Sequence, residues 1–415
     1  MKNLTCLLLL VLSMQSCVED DQMVVQCGSA FNQSESNIAV VSVTLQWQDA
    51  NSETQFNIEY GQSGFLPGTG TVINVNQNLV TLAGLSANTA YDYYIETVCA
   101  ESNVSLLTDV RSFTTLPELV VPEFRPNLSE LNLYTGPMED LVPSIYTFNY
   151  ELSSVLFTDY AHKQRLIALP PGTFMDHIDD GFPSFPDNTV ISKTFYYNTD
   201  DRDESLGKQI IETRVLIKIN GEWELGNYKW NAAQTDAVLD VDGATLPVTW
   251  IDADGLTNNI NYQIPTSSNC FDCHNNGGEE TPIGPKLRTL NFDVNESNQL
   301  QTLKDLGLLL GVADPTTVEA LPNYKDTSYT LEERARAYFD VNCAHCHVDG
   351  GYCEFQSTLR LGYETSFLDS NILNRKNSII NRISTYSAGF SMPFIGTTIL
   401  HDDGVDLILA YLDTL

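Results

Sequence analysis

Two five-residue strings constrain this chain more than any other part of its sequence. They read Cys270-Phe271-Asp272-Cys273-His274 and Cys343-Ala344-His345-Cys346-His347, so each has the pattern CxxCH. In this pattern the two thiols bond covalently to the vinyl groups of a c-type haem, and the histidine becomes the proximal iron ligand. Two copies in the last third of a 415-residue chain predict two attached haems, with His274 and His347 as iron ligands.

The two predicted haems differ in their second axial ligand. For the second haem we predict Met392, because Ser391-Met392-Pro393 precedes the last predicted helix, where small cytochromes c present a methionine. The alternative is that Met392 only packs against the ring. No methionine lies between Met175 and Met392, so the sixth ligand of the first haem is left open. The candidates are His162, Met175, His177 and His401, or no ligand at all. His345 is expected to face outward beside the second haem.

The N-terminus predicts export. Residues 1–16 contain an apolar run, residues 4–12, that is too short to span a bilayer and is typical of a signal peptide. A serine before Cys17 resembles a loose bacterial lipobox, and the acidic residues 18–21 resemble a surface-export signal of lipoproteins. We therefore predict that Cys17 is lipidated and anchors the protein at the outer membrane by lipid alone. Cleavage by the general signal peptidase is the alternative.

The charge balance limits the partners. A formal net charge of −33 excludes nucleic acid and anionic lipid surfaces, because both repel an acidic protein. It favours basic or neutral redox proteins as partners, and the alternative is that the acidity only keeps an exported protein soluble.

The nine cysteines fit an exported haem protein. Cys6 lies in the signal peptide, Cys17 is the predicted lipid site, and four belong to the haem motifs. Cys27 and Cys99 are candidates for a disulfide, since exported proteins are oxidised. Cys353 is left without a partner and is expected to be a buried, unreactive thiol.

Residues 27–116 have a β pattern throughout. Val41–Trp47 and Gln55–Tyr60 alternate between polar and apolar residues, and glycines mark the turns between them. Leu85–Ile95 resembles the tyrosine corner of a fibronectin type III sandwich, and Trp47 stands where that family keeps its core tryptophan. The resemblance implies an all-β spacer or docking module without a catalytic constellation.

A second β-rich domain is predicted after a proline-rich linker at 117–126. It covers residues 127–265, with strands at 190–197 and 210–219, the latter central and followed by an Asn-Gly turn. Acidic loops lie at 200–204 and 240–243. We interpret these loops as solvated turns, with calcium binding as the alternative.

Residues 266–415 have the pattern of an all-α, cytochrome c-like dihaem region. Glu296–Leu310 predicts a helix that ends at Gly311. Thr330 to Glu333 form a capping box that opens a helix into the second motif, and Asp402-Asp403 caps a closing helix. The chain is therefore predicted to be multidomain, with a sandwich, a β-rich domain and a dihaem region.

The part from 127 to 415 resembles a bacterial family of dihaem c-type cytochromes, in which a β-rich region precedes two CxxCH motifs. The matching strings are Leu141-Val-Pro143, Leu156-Phe-Thr-Asp-Tyr160, Phe195-Tyr-Tyr197, Trp230-Asn231, Thr235-Asp-Ala237, Gly284-Pro-Lys286 and Asn342-Cys-Ala-His-Cys-His347. The resemblance implies an exported dihaem electron carrier whose β-rich domain covers the first haem. The fibronectin-like module is an addition to that pattern.

Single-electron transfer between periplasmic or cell-surface partners is the predicted function. The alternative is a dihaem peroxidase or oxidase with an open sixth position on the first haem. The two motifs start 73 residues apart, which is closer than expected for that class. A third interpretation is a surface-binding protein that uses the fibronectin-like module. We predict no catalytic residue, because no side chains are arranged as acid, base or nucleophile.

Overall fold

The computed structural model describes residues 27–49, 52–100, 102–117 and 122–415. The chain divides into two units, Met1–Glu118 and Leu119–Leu415. The predicted signal peptide, Cys17 and part of the predicted linker lie outside the described residues. Within the described ranges, no helix combines the length and the apolar character needed to cross a membrane.

The first unit is built from two antiparallel sheets. Its strands are β1 Phe31–Ser36, β2 Ser42–Gln48, β3 Phe56–Gln62, β4 Thr71–Val75, β5 Leu79–Ala83, β6 Ala90–Ala100, β7 Asn103–Val104 and β8 Arg111–Thr114. One sheet has the order β1-β2-β5, and the other has the order β4-β3-β6-β7 with β8 also paired to β6.

The core of this unit follows from the alternation in its strands. Trp47 and Phe56 are 1% exposed and belong to one cluster with residues from both sheets. The predicted tyrosine corner is present, because the amide of Ser86 donates to the hydroxyl oxygen of Tyr91 at 2.9 Å. A disulfide joins Cys27 to Cys99.

The second unit begins with a β-rich part. Its strands are β9 Thr147–Asn149, β10 His162–Ala168, β11 Met175–Asp176, β12 Val190–Asn198, β13 Lys208–Ile219, β14 Glu222–Trp230, β15 Ala237–Asp240, β16 Ala244–Ile251 and β17 Thr257–Ile264. A six-stranded antiparallel sheet has the order β15-β14-β13-β12-β10-β9, and β16 and β17 form a hairpin. The predicted strands at 190–197 and 210–219 are present, and the second is central as expected. Asn220 and Gly221 both have positive φ, 53° and 87°, as a two-residue hairpin turn requires.

Helices and loops follow. The helices are α1 Ser267–Cys273, α2 Leu287–Leu290, α3 Gln299–Asp305, α4 Leu331–Asn342, α5 Phe367–Ser370, α6 Ile372–Ile383 and α7 Asp402–Asp413. Short strands lie between them: β18 Asn275–Asn276, β19 Glu279–Glu280, β20 Asp293–Val294, β21 Ser297–Asn298 and β22 Leu309–Leu310. The chain is thus multidomain and β-rich, and the part after residue 266 is helical with short strands in its loops rather than all-α.

Two predicted helix boundaries are wrong. The helix expected at 296–310 ends as α3 at Asp305, because Gly307 adopts a φ of 70° and such a glycine terminates a helix. Leu309, instead of continuing the helical face, pairs with Met175 of β11. The residue that precedes α7 is His401, which makes no side-chain cap.

One hydrophobic core unites the regions predicted on either side of residue 265. Tyr150 and Ile167 from the sheet pack in the same cluster as Leu287 from the helical part. The carboxylate of Asp159 accepts hydrogen bonds from the amide and the hydroxyl of Thr398, at 2.8 and 2.7 Å. The predicted boundary therefore does not separate two domains.

Candidate haem-binding site

The first CxxCH motif lies at the end of a short helix. α1 carries Cys270 and Cys273, and the amide of His274 bonds to the carbonyl of Cys270 at 2.9 Å. The ring Nδ1 of His274 lies 2.7 Å from the carbonyl oxygen of Thr281. Because a carbonyl only accepts, Nδ1 carries the proton and Nε2 keeps its lone pair. Burial lowers the pKa of His274 to about 3, so the ring is neutral near pH 7 and is held in the tautomer of an iron ligand.

A tight hairpin positions Thr281, whose carbonyl accepts the hydrogen bond from His274. β18 and β19 pair Asn275 with Glu280, and the turn between them uses Gly277 and Gly278 at φ values of 67° and 94°. The amide of Thr281 returns a hydrogen bond of 2.7 Å to the carbonyl of His274. Thr281 thus fixes both the side chain and the backbone of His274.

The second motif follows a capped helix. Thr330 and Glu333 form the predicted capping box at the start of α4, and the amide of Cys343 closes the helix on the carbonyl of Phe339. His347 is buried, which lowers its pKa to about 4. Its buried Nδ1 has no hydrogen-bond partner among the described residues. Buried polar atoms are normally paired, so the chain does not fix the tautomer of His347 as it fixes that of His274.

The two motifs meet in space. The Sγ atoms of Cys273 and Cys346 and a ring nitrogen of His345 all lie within 4.8 Å of one another. The hydrogen bond between the two thiols lowers the pKa of Cys273 and raises that of Cys346. The expectation that His345 faces outward is wrong, because its side chain points towards the first motif.

Cys353 also differs from the prediction. It is half-buried rather than buried, and its amide donates to the carbonyl of Cys346 at 3.0 Å. A hydrogen bond with the Cys346 thiol lowers the pKa of Cys353 to about 7. The prediction of a buried thiol is therefore wrong, whereas the low reactivity of Cys353 stays a prediction.

Two cavities adjoin the meeting point. The larger has a volume of about 850 Å³ and is lined by Cys273, His345 and residues 282–284 of the loop after the hairpin. The smaller, about 70 Å³, is lined by Cys270, Cys273 and His274. The larger volume lies within the range of roughly 300–1,000 Å³ found for ligand sites, whereas the smaller alone is below it. The residues that line both are Leu156, Lys193, Cys273, Pro282, Ile283 and His345.

Met392 lies on the loop between α6 and α7. It is half-buried, packs against the same helical core as Cys343, and donates its amide to the carbonyl of Arg382 at 2.9 Å. Pro393 and Ile395, which follow it, line the smaller cavity beside His274. This loop therefore passes close to both motifs.

The four sequence candidates for the sixth ligand of the first haem line neither of these cavities. His162 contacts a carboxylate at 2.7 Å, and Met175 is fully buried in the core. His401 stacks on an aromatic ring at a centroid distance of 4.3 Å, and His177 packs against a glycine. Each of them is engaged elsewhere in the fold.

A basic side chain that sequence reasoning missed lines both cavities. Lys193 of β12 lies directly opposite Arg165 of β10 and Arg214 of β13. Arg165 lines the larger cavity and Arg214 the smaller. The sequence contains one signal for this residue, because Lys193 lies inside the apolar run 190–197. Lysine is rarely buried without a partner, so a lysine in such a strand indicates a ligand or a site.

The residues at this site fit the group that the motifs predict. The four motif cysteines are free thiols, His274 presents an unprotonated Nε2, and a cavity of cofactor size adjoins them. When bound, haem supplies a one-electron iron couple. The cluster of Cys273, Cys346 and His345 is also a donor set for a transition metal, because thiolate and imidazole are ligands of zinc.

Comparisons with known proteins concern about a fifth of the chain. No family model and no curated protein matches the sequence. The FN5 domain of Drosophila Lar is 14% identical over 22% of this chain and 99% of that chain, with a TM-score of 0.20. The fn3 domain of human contactin 1 is 11% identical over 26% and 99%, with a TM-score of 0.22. The fibronectin type III domain of human fibronectin type III domain containing protein 3 is 16% identical over 22% and 86%, with a TM-score of 0.19.

Proposed function

We propose that this protein is an exported dihaem c-type cytochrome that passes single electrons between periplasmic or cell-surface partners. The observation that carries the proposal is the convergence of the motifs, with the Sγ atoms of Cys273 and Cys346 within 4.8 Å of each other. Each thioether would join its sulfur to a porphyrin, so Cys273 and Cys346 would hold one attachment point of each haem next to the other. On this proposal residues 127–415 belong to the dihaem family that they resemble, and α4, α6 and α7 form its cytochrome c-like part.

The side chains around the motifs have distinct tasks in this proposal. The carbonyl of Thr281 orients His274, and burial keeps His347 neutral so that each ring presents a lone pair to iron. Met392 completes the coordination of the second haem and raises its potential, because a thioether favours ferrous iron. No described residue needs to donate or accept a proton for an electron to pass.

Export and anchoring are part of the same proposal. Lipidation of Cys17 places the protein at the outer membrane, and its net charge of −33 favours a basic or neutral redox partner. Cys17→Ser should move the mature protein from the membrane fraction to the soluble fraction. Wild type that is soluble in the same fractionation would contradict the anchoring.

Haem stoichiometry tests the proposal directly. The full chain is expressed with a haem-attachment system, and covalent haem is counted by mass spectrometry and by the pyridine haemochrome spectrum. Wild type should carry two haems, and Cys273→Ser and Cys346→Ser should each impair attachment of one. Cys353→Ser is the matched control, since it alters a neighbouring thiol outside both motifs, and it should keep two. An exported protein without covalent haem refutes the proposal.

Spectra of that protein separate the carrier from the peroxidase. In oxidised wild type the weak near-infrared band of methionine-ligated iron should be present, and Met392→Ala should abolish it. A carrier should be unreactive to carbon monoxide and peroxide at the first haem. Reactivity of that haem with either ligand would favour the peroxidase or oxidase.

A structural metal centre is a second candidate function, favoured by the same cluster of thiols. Cys273, Cys346 and His345 lie within 4.8 Å, and Cys353 hydrogen-bonds to one of them, so the chain offers three thiols and one imidazole at a single point. The two functions exclude each other, because thioether bonds consume the thiols. Stoichiometric zinc in protein that lacks haem after haem-competent expression would favour the metal centre.

A further inference from the structure

Three basic side chains stand in line on one face of the large sheet, and we call them the cation row: Arg165, Lys193 and Arg214. The register pairs Arg165 with Lys193 and Lys193 with Arg214, and directly opposed residues of antiparallel strands project from the same face. Two positions further along the strands, Ile191 and Leu216 pack in the core shared with the helical part. The row therefore faces the side of the sheet on which the haem motifs lie.

The charges of the row are only partly compensated. Arg165 is 3% exposed and contacts Glu151 at 3.3 Å, and Arg214 contacts Glu212 at 2.5 Å. The Nε atoms of both arginines are buried and unpaired. Lys193 is half-buried and forms no hydrogen bond or ion pair among the described residues. Burial and the two flanking guanidinium groups lower the pKa of Lys193 to about 7. Like charges directly opposite each other destabilise a sheet. An anion bound in front of the row would remove this repulsion.

Four carboxylates that form no ion pair among the described residues also line the larger cavity, Asp179, Asp180, Glu319 and Asp369, and none of them is paired with Lys193. The other basic residues of this cavity are already paired with carboxylates: Lys286 with Asp340, Arg288 with Glu364 and Arg360 with Asp349. Among the described lysines and arginines that line this cavity, Lys193 is the one without a carboxylate partner. Arg165 is buried and Lys193 and Arg214 are half-buried. Because each of the three lines at least one of the two cavities, a ligand that pairs with the row must enter them.

We propose that the cation row binds carboxylates, and that its ligand is the pair of propionates of the haem attached at Cys270 and Cys273. This assignment rests on the proposed function. Lys193 and Arg214 line the smaller cavity together with Cys270, Cys273 and His274. Arg165 and Lys193 line the larger cavity together with Cys273. Two propionates supply two negative charges. Guanidinium groups bind carboxylates with two parallel hydrogen bonds, and an ammonium group adds a point charge. Cations close to the haem also favour ferrous over ferric iron, so the row would raise the potential of this haem.

The test removes one charge from the row in the full-length holoprotein. Lys193→Gln abolishes the charge without adding a thioether that could bind iron, and Lys193→Arg keeps the charge. Lys229→Gln is the matched control, because Lys229 lies on the same sheet, is 43% exposed and is paired with Asp240 at 3.3 Å. Removal of an unpaired cation between two arginines relieves repulsion, so Lys193→Gln should fold, and its haem content verifies this. Should the Lys193→Gln variant not be recovered, Lys193→Leu replaces it.

Potentiometric titration gives the readout. Lys193→Gln should lower the midpoint potential of one haem and leave the other unchanged, whereas Lys193→Arg and Lys229→Gln should match wild type. The proposal is overturned if both haems of Lys193→Gln keep the midpoint potentials of wild type. It is likewise overturned by a new carbon monoxide-binding haem in that variant, because Lys193 would then be an axial ligand. Saturable binding of succinate to wild type that Lys193→Gln abolishes also overturns it, since the row would take a soluble carboxylate. If wild type carries no haem, the proposed function itself is refuted. In the other negative outcomes wild type still carries two haems, so only the role of the cation row is refuted.

Discussion

Replacing Lys286 with methionine tests what holds the two motifs together. Its Nζ lies 2.9 and 3.1 Å from the carboxylate oxygens of Asp340, which joins the segment after the first motif to α4, the helix that leads into the second. The Asp340 side chain is 2% exposed, so loss of Lys286 leaves a buried carboxylate with one hydrogen bond from the amide of Tyr363 at 3.1 Å. Breaking a buried pair costs roughly 3–5 kcal/mol. Because Lys286 is itself 22% exposed and the Tyr363 bond persists, we expect a loss of about 3 kcal/mol.

Urea unfolding of the full chain measures this loss, and peptide-resolved hydrogen exchange assigns it to the second unit. The matched control is Lys325→Met, which breaks a pair with Asp403 whose side chains are 60% and 65% exposed. We expect the control to lose less than about 1 kcal/mol. The double variant Lys286→Met with Asp340→Leu removes both charges and should recover most of the loss. Equal losses in the two single variants, or no recovery in the double variant, would refute the reasoning.

Three further outcomes are expected. Replacing Cys27 and Cys99 with serine removes a disulfide between residues 72 apart in sequence. The free energy of unfolding of the first unit, measured in urea, should fall by about 4 kcal/mol. Reduced wild type should behave like the variant. Burial lowers the pKa of His401 from 6.5 to about 4, so the folded state resists protonation. Stability should be fully present above pH 6.5 and fall as the pH drops towards 4, and a pH series of unfolding curves should show a smaller fall in His401→Gln. Thr330→Ala removes the capping box with Glu333 and should lower the free energy of unfolding by about 1 kcal/mol; no change in the urea midpoint would contradict this role.

Local pattern predicts an element where the element is stabilised locally. The strand around Trp47 and the central strand β13 are predictable because alternation records which side of a strand is buried. The capping box at Thr330 is predictable because its hydrogen bonds join residues three apart. The end of α3 is not predictable from the local pattern, because the leucine periodicity continues past Gly307. The structure instead pairs Leu309 with Met175, a strand residue far away in sequence.

The same distinction separates the parts of the candidate site. The cysteines and histidines of the motifs are recognisable because haem attachment needs them at fixed, short spacing. Their convergence depends on the packing of the whole second unit, and no local pattern records that Cys273 approaches Cys346. The orientation of His274 by Thr281 is intermediate, since a two-glycine hairpin between them is visible in the sequence but its hydrogen bonds are not.

The cation row explains why a sheet accompanies the haem motifs. Strands in a sheet lie about 4.8 Å apart, so the ladder that pairs Arg165, Lys193 and Arg214 sets their backbone spacing at about 10 Å from end to end. The basic residues of the larger cavity outside the sheet, Lys286, Arg288 and Arg360, are paired with carboxylates of the chain itself. A register held by backbone hydrogen bonds keeps Lys193 from such a partner and holds its charge in front of the cavity. On the proposed function, the β-rich part is therefore a component of the haem site, which agrees with the core that it shares with the helices.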